Sequence, residues 1–467
     1  MLHHFTLHGD TIVFDSESLV LLSVDHPVRL LLEAAPDGSW EQLSDAALTR
    51  LAAESGVSVS DIESCRSELI ALREEGCIHA PEQQAGFSDL YPDEPRIKSM
   101  CLHLCHDCNL RCRYCFAGTG DYGTGRRNFL APETGRRAVD FLIEASGPRR
   151  QLYIDFFGGE PLLNWDTVVA LTEYCETAGP RHGKDIRLTL TTNAVLLDEA
   201  KARFLDRHMK NVVLSLDGRP EVNDRMRPAP NGRSSYRPVV DNILRFARLR
   251  GNREHYVRGT YTSENCDFDR DVLHLAALGL EQLSMEPVVA SPDQPYAIGP
   301  DDLPAIEAAY ERLALAWLRR REEGRPFAFF HFNLDLEGGP CLYKRLKGCG
   351  AGIEYCAVAP DGSVYPCHQF VGDEDFRLGT VFERPEKLER QIREKFRTLL
   401  LTSRPDCRRC WARYLCAGGC AANNYHASGA LDGRYEIGCR LQLKRLECAL
   451  WLEAKRREKL SDAEYAE

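Results

Sequence analysis

The chain reads as an α/β protein: a partial (β/α)6 barrel of parallel strands between a small amino-terminal module and a cysteine-rich carboxyl-terminal region. Three observations predict this. From Lys98 to Met285, six strand-like runs alternate with amphipathic helical segments, the pattern of a parallel sheet with right-handed crossovers. Ahead of them, residues 1–80 hold short strand-like runs followed by helical ones. Behind them, from Cys341 to Cys439, periodicity fades while nine of the 19 cysteines crowd together.

In residues 1–80, Phe5–Leu7, Thr11–Phe14 and Leu19–Val24 alternate as strands do, split by Gly9-Asp10 and Ser16–Ser18. Leu30–Glu33, Ser44–Glu54 and Ser60–Glu75 read as helices. In the last, Ile62, Leu69, Ile70 and Leu72 form an apolar stripe, Ser58 or Ser60 is a cap, and Gly76 a stop. A winged-helix-like module results. Residues 81–97, rich in proline and acid, read as a linker.

Residues 98–300 form the core. Its strands are Met100–Leu104, Leu152–Phe157, Ile186–Leu190, Val212–Leu216, Tyr256–Tyr261 and Gln282–Met285. The helices between them are Pro132–Glu144, Trp165–Thr177, Asp198–Arg207, Pro238–Arg248 and Asp269–Leu278. Chemistry in such folds sits at the carboxyl ends of the strands. Residues 301–340 connect, chiefly through a helix over Asp301–Glu323. Residues 341–440 cannot build a large apolar core, so metal is expected to hold them together. Residues 441–467 close the chain as a charged helix.

At 467 residues, the chain has length for two to four domains. Apolar residues at 43% and charged residues at 28% are those of an ordinary globular protein. A net charge of −11 argues against nucleic acid, whose phosphates need a basic field. No run approaches a membrane span, and Met1–Asp10 lacks the basic and apolar regions of a signal peptide. Nineteen cysteines, an odd number, cannot all pair. With no export signal they read as metal ligands in a reducing cytoplasm.

The most telling group is Cys108-Asn-Leu-Arg-Cys112-Arg-Tyr-Cys115, just after the first strand. Three thiolates can hold three irons of a cubane and leave the fourth iron open. Alternatives are a thioredoxin-like Cys112-x-x-Cys115 pair, or zinc with a fourth ligand from Cys101, Cys105, His103 or His106. After the next strand comes Phe156-Phe-Gly158-Gly159-Glu160-Pro161, where glycines permit close backbone approach and a carboxylate can accept from a cation.

CX3CX2C after strand one with Gly-Gly-Glu-Pro after strand two resembles the radical S-adenosylmethionine (SAM) superfamily. The resemblance implies that Cys108, Cys112 and Cys115 hold a 4Fe–4S cluster whose open iron SAM chelates. It places Gly158, Gly159 and Glu160 at the SAM amino group and Tyr114 and Phe116 beside the cofactor. Thr189-Leu-Thr-Thr-Asn193 and Leu214-Ser215-Leu-Asp217-Gly218 end strands three and four, so Asn193, Ser215 and Asp217 suit ribose and carboxylate. Arg258 on strand five suits the methionyl carboxylate; for each, a strand-end hydrogen bond is the plain alternative. The loop Gly118–Gly125 lacks a phosphate-loop Lys and reads as a mobile cover over the site.

Farther on, Cys349-x12-Gly362-x4-Cys367 precedes Cys407-x2-Cys410-x5-Cys416-x3-Cys420-x18-Cys439. Short gaps alone would also suit a zinc ribbon. The whole seven-cysteine pattern resembles a SPASM domain, which carries two auxiliary 4Fe–4S clusters. That implies Cys407, Cys410, Cys416 and Cys439 on one cluster and Cys349, Cys367 and Cys420 on the other, making three clusters in all. Cys341, or a substrate thiol, supplies the eighth ligand. Cys356 is a lesser candidate; Cys65, Cys77, Cys101, Cys105, Cys175, Cys266 and Cys448 read as packing residues.

Over Cys108–Gly118, Asp155–Pro161, Ser215–Arg227, Glu286-Pro-Val-Val289, Cys341–Gly350 and Tyr365–Gly372 the chain is similar to maturases of SCIFF ("six cysteines in forty-five residues") peptides. That similarity implies a radical SAM oxidoreductase joining a peptide Cys sulfur to a carbon of a downstream Thr, or another acceptor. It implies an amino-terminal module that binds the precursor's leader, and an electron donor such as flavodoxin or ferredoxin. The alternative is sulfatase-maturase-type oxidation of Cys or Ser to formylglycine. More distant is a non-enzymatic zinc or electron-carrier protein, for which Gly158-Gly159-Glu160 beside three cysteines has no use.

Overall fold

The computed structural model describes residues 1–82, 96–337 and 342–465. Strands β1 (Leu2–Leu7), β2 (Asp10–Asp15) and β3 (Leu21–Val24) form an antiparallel sheet in that order. Helices α1 (His26–Ala34), α2 (Asp45–Ser55) and α3 (Val59–Glu74) follow. Each begins where a side chain accepts a first-turn amide: Asp25, Ser44, and Ser58 in a capping box with Asp61. Alternation along β2 divides its side chains between two cores. Val13 joins Trp40, Leu48, Ile62 and Leu69 inside the module. Ile12 and Phe14 point the other way, into the core shared with the barrel and the last helix.

The barrel strands are β4 (Ser99–Cys105), β5 (Gln151–Gly158), β6 (Asp185–Thr192), β7 (Asn211–Ser215), β8 (His255–Tyr261) and β9 (Gln282–Pro287). Each pairs in parallel with the next. Between them lie α4 (Pro132–Ala145), α5 (Trp165–Arg181), α6 (Glu199–His208), α7 (Pro220–Met226), α8 (Tyr236–Arg250) and α9 (Phe268–Ala277). Asp198 caps α6. After α10 (Leu303–Glu322), β10 (Ala328–Phe329) extends the sheet beyond β9.

Alternation sorts the strand residues into two sets. Leu102, Ile154, Leu190, Leu214 and Val257 are buried against the helices. Their neighbours Cys101, His103, Asp155, Phe157, Thr189, Ser215, Arg258, Ser284 and Glu286 face the barrel interior.

The cysteine-rich region is more regular than its sequence suggests. After α11 (Leu342–Lys347), β11 (Tyr355–Val358) pairs in parallel with β4, and β12 (Ser363–Tyr365) and β13 (Gly379–Thr380) follow antiparallel. One ten-stranded sheet therefore runs from β10 through the barrel to β13. Strands of two to four residues show no usable alternation, and β11 is fixed by pairing with a strand far away in sequence. Short helices α12 (Arg390–Arg397), α13 (Pro405–Arg408), α14 (Arg413–Cys416) and α15 (Ala421–Ser428) carry the remaining cysteines toward α16 (Glu436–Tyr465). Helix α16 starts before the expected Leu441, which places Cys439 in its first turn. Among the described residues no helix is long and apolar enough to cross a membrane. Cys341 and most of the 81–97 linker lie outside the described residues.

Candidate functional site

Leaving β4 at Cys105, the chain enters the loop bearing Cys108, Cys112 and Cys115 and is clamped from both sides. Gly159 N donates to Cys105 O and Glu160 N to Asp107 O, each at 2.9 Å. A Cβ on Gly159 would lie 1.9 Å from Asp107 O, and one on Gly158 (φ +124°) 2.4 Å from Cys105 O. From the other side, a Cβ on Gly120 would lie 2.9 Å from Cys108 N. The close approach expected of Gly158 and Gly159 toward a ligand is thus made, in the first place, to the cysteine loop. Gly118–Gly125 is also more than a cover. Tyr122 is buried, donates its hydroxyl to Gly158 O at 3.1 Å and packs on His103 and His106.

The three thiols share one pocket. Burial pushes Cys108 up to about 12 and Cys112 up to about 11, and neighbouring thiols add to both. Among the described residues Arg227 is the cation that acts on Cys112. For Cys108 and Cys112, whose thiols burial favours in the protonated form, a bound metal would supply the charge that stabilises the thiolates. An all-sulfur set of three, on one loop, fits an iron–sulfur cluster with one iron left open.

Asp217 is held by donors of the protein itself. It is fully buried, with Oδ1 accepting from Arg227 Nε and Thr260 N at 2.9 Å and Oδ2 from Tyr114 OH at 2.6 Å. Its carboxylate accepts three protein hydrogen bonds and so positions Tyr114 and Arg227. Arg227 lies over the Tyr114 ring, 5.4 Å from its centre. The chain just after α7 also pairs with the cysteine loop, Arg111 N donating to Pro228 O and Arg113 N to Met226 O. Sequence spacing singled out neither Arg227 nor Tyr122; both matter through contacts between distant segments.

Glu160 is buried at the ends of β5 and β6, accepting from Leu162 N (3.0 Å), Thr192 Oγ1 (2.7 Å) and Asn193 N (2.8 Å). Burial pushes its carboxyl up to about 7. It has no ion-pair partner among the described residues, so a substrate ammonium fits beside it. Asn193 donates to Asn109 Oδ1 at 2.7 Å and toward Cys108 Sγ at 3.7 Å, which sets it against the cysteine loop. Ser215 and Arg258 are neighbours in register on the interior face. The Arg258 side chain is 56% exposed and 3.8 Å from Glu286, leaving it able to meet a carboxylate. Phe116, 53% exposed, stands edge-on to Tyr122 and His368.

The Glu160 shift has a measurable sign. Its folded pKa lies above the unfolded one, so the native state binds more protons and its stability falls as pH rises from about 4.5 to about 7. E160Q places an amide donor against backbone donors at every pH and removes that dependence. In cluster-free protein, the melting temperature of E160Q should lie below that of the parent at pH 5, and the gap should narrow by pH 8. A gap independent of pH would contradict the buried carboxylate.

The other cysteines form two groups. Cys416 lies within electrostatic reach of Cys410 and Cys407, and Cys439 of Cys416 and Cys407. Cys367 lies within reach of Cys420 and Cys349, and Cys420 of Cys349. The separation has a local cause. Ala417, Gly418 and Gly419 have φ of +56°, +81° and +75°, reversing the chain so that Cys416 and Cys420 face different groups. Burial pushes Cys367 and Cys439 up to about 12. Two more all-sulfur groups again fit iron–sulfur clusters. No three such side chains converge on one ion position among the described residues; cubane thiolates bind separate irons and need not. Cys356 is buried in β11, outside both groups.

The three-thiol group faces the barrel. Cys367 follows β12 directly, and the Tyr355 hydroxyl contacts both His368 Nδ1, at 3.2 Å, and the Cys101 thiol on the interior face of β4. Cys101 and Tyr355 lie within electrostatic reach of both Cys367 and Asp155.

Comparison with known proteins gives two family matches: the radical SAM superfamily over residues 102–262, and the SPASM iron-sulfur cluster-binding domain over 349–411. An uncharacterized protein of Methanocaldococcus jannaschii is 28% identical over 192 residues, 41% of this chain; the match spans 62% of that protein. The serine-type anaerobic sulfatase-maturating enzyme of Klebsiella aerogenes is 24% identical over 356 residues, 70% of this chain and 80% of that one. Among solved structures, native anSMEcpe with bound AdoMet is 21% identical with a TM-score of 0.64, covering 77% of this chain and 99% of that one. Streptococcus suis SuiB bound to the precursor peptide SuiA is 16% identical with a TM-score of 0.52, covering 91% of this chain and 96% of that one.

Proposed function

From the premise that the chain carries a radical SAM domain and a SPASM domain, with SAM and multiple 4Fe–4S clusters as cofactors, we propose that it is a peptide maturase. The reaction is thioether formation between a Cys sulfur and a carbon of Thr, or another acceptor, in a ribosomally made cysteine-rich precursor of SCIFF type. One observation supports this above others: the Cys349, Cys367 and Cys420 group lies against the barrel interior through Tyr355 and Cys101. A substrate thiol in the place of a fourth ligand there would stand next to the interior that a peptide has to enter.

The cofactors, when bound, supply one-electron cleavage of SAM and hydrogen-atom abstraction. The chain supplies placement. Cys108, Cys112 and Cys115 hold the first cluster, Glu160 meets the SAM ammonium, and Arg258 and Ser215 meet its carboxylate or ribose. Tyr114 is fixed beside the cluster by Asp217. Cross-linking removes a hydrogen atom from carbon, a proton from the thiol and one surplus electron, for which an auxiliary cluster, when bound, would be the acceptor. Asp155, facing the interior with its carboxyl pushed up to about 6 by burial and hydrogen-bonded to Thr189 Oγ1 at 2.8 Å, takes that proton. The precursor's leader adds as a strand to an edge of the β1–β3 sheet. Helix α3 opposes a DNA-binding role, since Asp61, Glu63, Glu68 and Glu74 outnumber Arg66 and Arg73, and Arg73 is paired with Glu41. The protein works in the cytoplasm with a flavodoxin or ferredoxin as reductant, and exposure to air should abolish activity until the clusters are rebuilt.

The test is anaerobic incubation of reconstituted enzyme, SAM and dithionite with a short cysteine-rich peptide of SCIFF type that carries Thr residues downstream of its cysteines. Loss of two hydrogens per modified cysteine, with a Cys–Thr bond in the fragment spectrum, supports the proposal. Conversion of Cys or Ser to an aldehyde instead would support the formylglycine reading, which the likeness to the Klebsiella enzyme favours. D155N should keep SAM cleavage, slow cross-linking and lose the rise in rate through about pH 6 expected of the parent.

A further inference from the structure

The residues between the first three cysteines of the four-thiol group are held by the amino-terminal module. Trp411 lies parallel to the His3 ring, with centres 4.0 Å apart and planes 3° apart, and edge-on to Phe14 at 6.2 Å. Arg408 pairs with Glu82 at 3.1 Å. Arg413 forms an ion pair with Glu17, and Tyr414 OH donates to the other Glu17 oxygen at 3.4 Å. The Arg413 and Glu17 side chains are 7% and 3% exposed.

Glu17 is presented by a stiff turn. Asp15 Oδ1 accepts from Glu17 N at 2.9 Å and Ser18 N at 3.1 Å, and the chain's amino terminus lies 3.6 Å from Asp15 Oδ2. Across the interface, Arg413 also donates to Arg408 O, bracing the segment from within. Its guanidinium is within electrostatic reach of the Cys410 thiol, and its buried Nε has no acceptor among the described residues.

We infer that Glu17 is a positioning residue for the outer auxiliary cluster: through Arg413 it fixes the Cys407–Cys416 segment, making the amino-terminal sheet one wall of that cluster's site. The inference rests on the assignment of Cys407, Cys410, Cys416 and Cys439 to one cluster. Arg413 has a second, more distant and more exposed partner in Glu82, at 3.8 Å; neutralising Glu17 removes its near, buried partner and leaves that one alone, so the segment shifts. It follows that residues 1–80 cannot be removed as a plain recognition module. Their loss would bare Trp451 and Leu452 of α16, which share a core with Ile12 and Phe14, and would unpin three cluster ligands together.

The experiment uses full-length, anaerobically reconstituted protein in a C108A/C112A/C115A background, so that only auxiliary clusters are read. E17Q should lower iron from about 8 toward about 4 per chain, or change the electron paramagnetic resonance spectrum of the reduced protein, while circular dichroism stays unchanged. Charge reversal in E17R/R413E should restore both readings. H3A, which removes the ring stacked on Trp411 together with its contact to Glu447 at 3.1 Å, should produce the same spectral change in milder form and is the second reading if E17Q does not fold. C416A is the control. Unchanged iron and spectra in E17Q and H3A, with iron lost in C416A, would overturn the role of Glu17 and leave the cluster assignment standing. Unchanged iron in C416A as well would overturn both.

Discussion

Anaerobically reconstituted C108A/C112A/C115A protein is expected to retain about two thirds of its iron and to form no 5′-deoxyadenosine. The expectation combines two independent facts about the fold. The three thiols lie on one loop clamped by Gly120, Gly158 and Gly159. The remaining cysteines keep their own partners, which do not include this loop. Three cubanes hold about 12 irons, so losing one leaves about 8. Removing three half-buried side chains of modest size at a loop should not unfold the barrel. Circular dichroism, iron analysis and chromatographic detection of 5′-deoxyadenosine check it. SAM cleavage surviving the triple substitution would refute the assignment of the SAM cluster. Zinc in place of iron in the parent would instead support the metal-carrier alternative.

The second large effect is expected from Cys367. C367A should cleave SAM at close to the parental rate, yet cross-link its peptide at least ~10²-fold more slowly, the usual cost of losing correct placement of a reacting group. Cys367 belongs to the thiol group beside the barrel interior, so its loss should disturb the proposed thiol-binding cluster and leave the SAM cluster intact. C416A makes the contrast, since Cys416 lies in the other group, on the far side of the Ala417–Gly419 reversal. If C367A and the parent cross-link equally well, the inner group does not hold the substrate sulfur. Uncoupled 5′-deoxyadenosine formation by C367A, without product, is the signature to look for.

The parallel barrel was legible because its signals are long: strands of five to eight residues with a buried face, helices with start and stop residues in place. The grouping of the later cysteines came from the resemblance to a SPASM domain, since short gaps alone would also suit a zinc ribbon. What the sequence hid depends on partners distant along the chain. Asp217 reads as a strand-end ligand, and only the fold shows its oxygens occupied by Tyr114, Arg227 and Thr260. Tyr122 reads as part of a glycine-rich cover, and only the fold shows it wedged beneath the cysteine loop. Strands β11 to β13 are too short to register as alternation. Nor does the sequence say whether residues 1–80 pack on the core; the division of β2 side chains between two cores shows that they do.

The ladder between β4 and β11 has a mechanical consequence. Cys101 is paired with Ala357 and Leu102 with Val358, in the middle of a sheet continuous on both sides. To swing the cysteine-rich region away from the barrel would mean tearing hydrogen bonds from a central strand, at a free energy near that of unfolding the whole molecule. Backbone amides along this seam should therefore be among the slowest in the protein to exchange with deuterated solvent, with or without peptide. The gap between the Cys108–Cys115 loop and the inner thiol group is set like that of a fixed-jaw calliper. Under the proposed function, peptides of different loop length would have to fold themselves to that gap, because the jaws do not slide.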